Sequence, residues 1–367
     1  MVIRQDKKNK ETVFVGLSGG VDSSVSAALL LKAGYNVVGV FIKVWQPDFF
    51  ECTWREDRLD AIRICAKLKI PFKTLNLEKE YKKEVVDYMI SEYQAGRTPN
   101  PDVMCNRFVK FGGFYDWAIK NGADYVATGH YAQVKIARQG LAHLLEGKDN
   151  NKDQSYFLWT LPQEKLKKCL FPIGHLEKPE VRKLADKFGL STSVKKDSQG
   201  LCFIGQVDIK DFLKNFVEVG IGDVKNEQGD VIGHHDGAIY YTIGQRHGFM
   251  VTKKQPDDKP LFIMSKDVKN NILVVSPRDP NTDNLLSVKS IVLKDVNQIC
   301  SAWHVGDQVL VRVRYRQVAQ KAKLGWESDN WKVIFGKPQS VVAVGQSAVI
   351  YKGNDCLGGG IIDKVTI

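Results

Sequence analysis

Disulfide scaffolding, zinc-finger chemistry and a membrane span are what this sequence lacks first. Its seven cysteines (52, 65, 105, 169, 202, 300 and 356) are an odd number scattered through 367 residues, without a CxxC or a Cys/His cluster at zinc spacing. That usage excludes a disulfide-stapled fold, offers no structural metal site, and suits free thiols in a reducing compartment. No stretch reaches the ~18–20 uninterrupted apolar residues that a membrane span needs. The first residues, MVIRQDKKNKETVFVG, lack the apolar core and cleavage site of a signal peptide, so a cytoplasmic location is expected. There is no GxxxxGKS/T string and hence no lysine-bearing Walker loop. Nor is there a solenoid repeat or a low-complexity segment. Positive charge, in contrast, is in excess. Lys and Arg number 53 against 42 Asp and Glu, a net +11, which is compatible with a polyanionic partner.

The length suffices for two or three domains. In the first part of the chain strand and helix signals alternate. Residues 12–17 read as a buried strand broken by Ser18-Gly19-Gly20, and Val21–Lys32 as a helix stopped at Gly34. Further strands are expected at 36–44, 71–76 and 123–128, with helices at 57–69, 79–94 and 178–188. In the 57–69 helix, Leu59, Ile62 and Ala66 are expected to face inward. This rhythm calls for a parallel sheet covered on both faces, with ligands at the carboxyl ends of its strands. From Gly220 onward the texture changes to short alternating runs separated by Gly, Asn and Asp, with strands expected at 308–315 and 340–351. The last part therefore reads as all-β, in two units joined around 277–284. A strand over 309–317 places Arg312, Arg314 and Arg316 on one face. Their spacing of roughly 6.6–6.8 Å matches phosphates along a nucleic-acid strand. The alternative is a solvated barrel face.

The most informative string is Gly16-Leu17-Ser18-Gly19-Gly20-Val21-Asp22-Ser23-Ser24, set between a strand and a helix. Two glycines permit a sharp turn that aims backbone N–H groups at an anion, and the helix start adds partial positive charge. Ser18 and Ser23 offer hydroxyls to phosphate oxygens, and Asp22 is a candidate ligand for magnesium. An ordinary strand–helix turn is the plainer reading of SGG alone. SGGVDS resembles the pyrophosphate loop of ATP-pyrophosphatases, which cleave ATP between the α and β phosphates.

Two cysteines have distinctive contexts. Cys105 lies in GRTPNPDVMCN, where two prolines resist helix formation and Asp102, three residues before the thiol, is a catalytic candidate to orient a substrate or take a proton. Cys202 lies in DSQGLCFIG after Lys195 and Lys196, whose charges would favour a thiolate. The remaining five read as small buried apolar residues.

SGGVDSSV, GRTPNPDVMCN, ATGHYA, KDQSYFL, DSQGLCFIG, YYTIGQRHG, RVRYRQ, GQSAVIY and CLGGGII run in order from residue 16 to residue 362. Together they resemble the tRNA-specific 2-thiouridylase (MnmA) family, which converts the wobble uridine of certain tRNAs to 2-thiouridine. The resemblance implies an α/β, Rossmann-like (adenine nucleotide alpha hydrolase-like) parallel-sheet catalytic domain at 1–212. A small central β domain at 213–284 and a C-terminal, tRNA-binding β-barrel at 285–367 would follow. It further implies ATP binding by Gly16, Leu17, Ser18, Gly19, Gly20, Val21, Asp22 and Ser23 with Gly129, and an adenine contact at Ile42, where the family usually has Met. Asn100, Pro101 and Asp102 would meet the target base, and His130, Lys152, Asp153, Gln154, Arg314, Tyr315 and Gln346 would contact tRNA. Cys202 would receive sulfur as a persulfide from a sulfur-relay protein, and Cys105 would act as the nucleophile that releases it, forming a Cys105–Cys202 disulfide or liberating hydrosulfide. The implied substrates are tRNAs of the Lys, Glu and Gln acceptor type.

Plainer readings stand beside these. His130 reads equally as a hydrogen-bonded core histidine, Lys152-Asp153-Gln154 as a solvated loop, and 244–248 as a turn. An iron–sulfur cluster on the two cysteines ranks lower, because two thiols are fewer than the usual four ligands. An amidating ligase of the GMP synthetase type leaves both cysteine motifs unexplained, and an inactive RNA-binding relative leaves the loop unexplained.

Overall fold

In the first two strands apolar side chains occupy successive positions, so both faces must be covered. The computed structural model describes residues 11–49, 54–195, 209–252, 259–277 and 287–367. Strand β1 (Thr12–Gly16) sends Val13 and Val15 toward one core and Phe14 toward another. β2 (Asn36–Lys43) divides likewise, with Val37 and Phe41 on the first face and Val38, Val40 and Ile42 on the second. Helices α1 (Val21–Lys32) and α2 (Trp54–Leu68) cover the first face, and the helical segment 101–120 covers the second through Val109, Phe111 and Phe114. Each large apolar side chain so buried stabilises the fold by roughly 1.5–3 kcal/mol.

With β3 (Phe72–Asn76), β4 (Tyr125–Ala127), the hairpin β5 (Ala132–Ile136) and β6 (Ala142–Glu146), and β7 (Cys169–Leu170), the first part is complete. All pairings in the sheet β3-β2-β1-β4-β7 are parallel, and the strand order reverses between β1 and β4. Ligands bind at such a switch point, outside the carboxyl ends of the strands. A second sheet is formed by β8 (Gly222–Lys225), β9 (Val231–His235), β10 (Met250–Val251), β11 (Phe262–Asp267) and β12 (Ile272–Ser276). The third comprises β13 (Val288–Gln298), β14 (Gln308–Arg312), β15 (Gln320–Glu327), β16 (Asn330–Gln339), β17 (Ser347–Lys352) and β18 (Asp355–Thr366). β13 pairs with β18, so these six close into a barrel. The molecule is thus a Rossmann-like α/β domain, a central β domain and a C-terminal β-barrel.

Four local expectations are corrected. Helix α2 turns Ala61, Ile64 and Cys65 inward and leaves Leu59 48% exposed. Gly39 explains the phase: a Cβ there would lie 2.4 Å from Cys65 Sγ, so the helix seats Cys65 directly on the strand backbone. Pro101 begins a helix rather than resisting one, because Asn100 caps it and proline is tolerated in the first turn. The strand expected at 340–351 begins only at Ser347. The strand expected at 308–315 ends at Arg312, and Arg316 takes a left-handed φ of 63° in the following turn.

No arginine stripe therefore exists. Arg312 turns inward, donates to Asp153 Oδ2 at 2.8 Å and pairs with Glu146, tying the barrel to the β5–β6 hairpin. That hairpin extends the barrel sheet by pairing β6 with β18, an inter-domain join the sequence does not announce. Removing one partner of a buried ion pair strands the others. Arg312→Ala is therefore expected to lower stability by about 3 kcal/mol, measured by urea denaturation. Unchanged stability with weakened RNA binding would make Arg312 an RNA contact instead.

Candidate active site

The phosphate loop follows β1 at the switch point. Gly19 has φ +72°, and a Cβ there would lie 2.5 Å from the Asp57 carbonyl oxygen, so the loop lies backbone-to-backbone against α2. On the other side, a Cβ on Gly129 would come within 2.6 Å of Ser23 N. The sharp turn and the close approach both require glycine. Gly20 precedes α1 without a side-chain cap, leaving first-turn amides to face an anion. The Ser18 and Ser23 hydroxyls lie 3.3 Å apart, and Ser23 and Ser24 donate back to the Gly20 carbonyl at 3.2 and 2.6 Å. Leu17 and Val21 anchor the loop in the core. Ile42 lies next to its start, with Cδ1 3.7 Å from where a Cβ on Gly16 would be. Uncapped amides, two hydroxyls and a turn held tight by close-packed glycines fit a polyphosphate.

Asp22, the candidate magnesium ligand, has close partners here. Lys178 Nζ donates to both of its carboxylate oxygens at 2.8 Å, and the Tyr131 hydroxyl donates to Oδ1 at 2.8 Å. Asp22 fits a divalent cation as an oxygen donor beside the phosphate cradle. Sequence reading missed Lys178. Its signal was Glu177-Lys178-Pro179-Glu180, a capping box with proline in the first turn, which marks the start of helix Lys178–Lys187.

Cys105 is fully buried, at the point where Pro101–Met104 passes into the wide-turned segment Cys105–Phe114. Such π-type insertions recur at functional sites. The same segment brings Phe114 to 3.3 Å from the position of a Gly16 Cβ, so the cysteine helix abuts the end of β1 that feeds the phosphate loop. Asn106 Oδ1 is buried without a hydrogen-bond partner. Cys202 lies outside the described residues. Lys195, expected to favour its thiolate, instead pairs with Asp57 and Asp60 at 2.8 and 2.7 Å. Burial opposes the Lys195 charge, but its hydrogen bonds to those carboxylates prevail and raise its pKa.

The residues implied to meet RNA fall into two groups. Asn100 and Asp102 flank Pro101 where the chain docks on the barrel. Gln346 Nε2 donates to the carbonyls of Thr98 and Pro99 at 3.1 and 2.9 Å, and Thr98 N donates to Val344 O at 2.9 Å. Arg314 donates to the Val341 carbonyl. Beside these contacts a cavity of about 280 Å³ opens between all three domains, lined by Thr98, Thr242, Gly244, Arg314, Val341 and Gln346. Val341 is β-branched yet has φ 53°, a strain on the order of 1–3 kcal/mol.

The second group is turned inward. Asp153 is buried, accepting from Gly147 N, Ser155 N and Ser155 Oγ as well as Arg312. Gln154 Oε1 accepts from Tyr131 N at 3.0 Å, which positions the tyrosine on Asp22. Lys152 is half-buried, and Tyr315 packs on Phe157 with ring centroids 4.5 Å apart. His130 lies between Phe111 and Phe171, with Nδ1 2.7 Å from Thr128 Oγ1. For Asp153, Gln154 and His130, the structure places the side chains in internal contacts rather than on an open face.

Among the described residues, His143, Cys300 and Asp355 hold possible metal-ligating atoms within 4.8 Å of one another. His143 Nδ1 and Asp355 Oδ2 are 2.6 Å apart, a hydrogen bond. Two ligands on one tetrahedral zinc would stand about 3.3 Å apart. Burial pushes the Cys300 thiol up to about 11, so the cluster is a hydrogen-bonded His143–Asp355 pair beside a protonated thiol.

Burial, with the Lys110 charge second, lowers the His130 pKa well below its ordinary value, so the folded ring is neutral. Below about pH 6.5 the unfolded chain binds a proton that the folded one refuses. Stability therefore falls on acidification, by up to about 1.4 kcal/mol per pH unit. His130→Gln should flatten the decline in urea midpoint between about pH 6.5 and 5; an unaltered slope would contradict a buried neutral ring.

Three family descriptions match consecutive stretches of the chain: tRNA methyl transferase HUP domain over residues 11–206, tRNA methyl transferase PRC-barrel domain over 210–277, and aminomethyltransferase beta-barrel domain over 288–362. The chain is 46% identical over 363 residues to the tRNA-specific 2-thiouridylase MnmA of Streptococcus sanguinis, covering 97% of this chain and 96% of that one. Identity and coverage are the same for the protein of that name from Streptococcus mutans. A solved structure, the U34-tRNA thiolase NcsA from Methanococcus maripaludis with its iron–sulfur cluster, is 19% identical. It covers 58% of this chain and 66% of that chain, at a TM-score of 0.36.

Proposed function

The chain belongs to the tRNA-specific 2-thiouridylase (MnmA) family, and from that premise we propose that it thiolates the wobble uridine of tRNA at the expense of ATP. The observation that supports this most is the phosphate cradle at the switch point, with the Cys105 helix packed on the strand that feeds it. The working units are 1–212 for catalysis, 213–284, and 285–367 for the tRNA body. Magnesium, held by Asp22, would neutralise the phosphate charge that develops on cleavage.

The chemistry answers a specific difficulty. The uracil 2-carbonyl is a poor electrophile, and its oxygen a poor leaving group. Attack of that oxygen on the α-phosphorus of ATP releases pyrophosphate and makes the oxygen part of AMP. Asn100, Pro101 and Asp102 hold the base, which must leave its stack at a cost of a few kcal/mol offset by remote contacts. Arg314 and the cavity between the three domains suit an RNA segment entering beside the Asn100 motif. Lys152, whose charge acts on the Tyr315 hydroxyl, Tyr315 and His130 are the further tRNA contacts of this reading.

Sulfur arrives as a persulfide on Cys202, supplied by a sulfur-relay protein in the reducing cytoplasm. The Cys105 thiol attacks the Cys202 sulfur, expelling hydrosulfide and leaving a Cys105–Cys202 disulfide. Hydrosulfide adds at C2, AMP departs with the former carbonyl oxygen, and a two-electron thiol reductant restores both cysteines. Substrates of the Lys, Glu and Gln acceptor type complete the proposal.

Cys105→Ser and Cys202→Ser are each expected to abolish thiolation while tRNA still binds, with Cys300→Ser remaining active. Mass spectrometry of digested tRNA reads the outcome. Full thiolation by either single variant with a persulfide donor would defeat the two-cysteine route.

A further inference from the structure

Lys178 stands where electrostatics disfavours a cation. It opens the ten-residue helix Lys178–Lys187, and its ammonium meets Asp22 in the first turn of the twelve-residue helix α1. The two helices pack together through Val21, Val25 and Ala28 against Val181 and Ala185, which brings both positive ends to one place. Two helix starts and an ammonium in one locality form an environment for anions. The Lys178 ammonium meets the Asp22 carboxylate, with both oxygens at 2.8 Å, while the Lys178 backbone N–H donates to Asp149 Oδ2 at 3.0 Å. The Lys178 side chain is only 11% exposed, whereas that of Asp22 is 31% exposed.

We propose that Lys178 is a placeholder cation and polyphosphate ligand: in the nucleotide-free protein its ammonium neutralises Asp22, and on nucleotide binding it yields that carboxylate to a divalent cation and turns to a phosphate oxygen. Tyr131 remains on Asp22 Oδ1 during the exchange, held by Gln154, so the carboxylate keeps its aim. Charge is conserved locally: one cation leaves the carboxylate as another arrives, and the displaced ammonium meets the negative charge that came with it. An Asp22 left bare beside an incoming polyphosphate would repel it. This inference rests on the polyphosphate reading of the SGGVDS loop and adds a residue to it.

Binding experiments without tRNA separate the two. Isothermal titration of wild-type protein with pyrophosphate, in the absence of metal, tests the loop reading: no binding would fail that reading and this inference with it. With wild-type binding in hand, Lys178→Met should weaken pyrophosphate about tenfold, or about 1.4 kcal/mol. The same variant, titrated with manganese in the absence of nucleotide and followed by electron paramagnetic resonance, should bind the ion about tenfold tighter than wild type. Lys178→Arg, which keeps the charge, should hold pyrophosphate and bind manganese no tighter than wild type. If the Met variant does not fold, Lys178→Gln, whose amide still hydrogen-bonds Asp22, provides the same two measurements. Unchanged pyrophosphate affinity, or manganese affinity unchanged or weakened in the uncharged variants, would overturn the proposal.

Discussion

Backbone lying directly against backbone at Gly19 and Gly129 is the constraint on which the site depends. With a Cβ at either position the phosphate loop would be pushed off α2 or off the segment that follows β4. The close approach keeps the start of α1 at the switch point of the parallel sheet, where its amides, two serine hydroxyls and Asp22 converge. Packing energy from the two cores flanking β1 and β2 thereby holds an arrangement that carries little apolar burial of its own. A loop positioned by rigid neighbours is ordered before substrate arrives, and this is what electrostatic stabilisation of a developing charge requires.

A second set of contacts joins that site to the rest of the chain. Gln346 holds the carbonyls of Thr98 and Pro99, so the Asn100 motif is anchored by the barrel as well as by the core of its own domain. Arg312 fastens the barrel to Asp153, its neighbour Gln154 holds Tyr131, and Tyr131 reaches Asp22. Residues from the barrel therefore reach the phosphate site through three polar steps.

Much of the fold was legible because local pattern and tertiary context agreed. The continuous apolar runs of β1 and β2, with Gly-rich punctuation between β1 and α1, admit little besides a parallel sheet. Where context prevailed, the reading slipped for identifiable reasons. The phase of α2 is set by Gly39, a residue on another element, and no periodicity within the helix reveals it. Pro101 reads as a helix breaker unless Asn100 is seen as its cap. The arginine stripe failed because Arg312 has partners on a hairpin more than a hundred residues away, and the backbone leaves the ladder immediately after it. In the site, short motifs singled out the loop and Cys105 as candidates but not Lys178, since only folding brings it to Asp22. Asp153 and Gln154 were expected to contact tRNA; the structure places their side chains in internal contacts, which a sequence cannot distinguish from an open RNA-facing loop.

The central claim is that the uridine 2-oxygen itself attacks ATP. It is tested most directly by following that oxygen. Substrate tRNA bearing a heavy oxygen isotope at the 2-position of the wobble uridine, incubated with the protein, ATP and a persulfide donor, should transfer the label to AMP in one-to-one ratio with thiouridine formed. Label released to water or retained in the base while AMP stays light, or ADP and phosphate in place of AMP and pyrophosphate, would contradict the account.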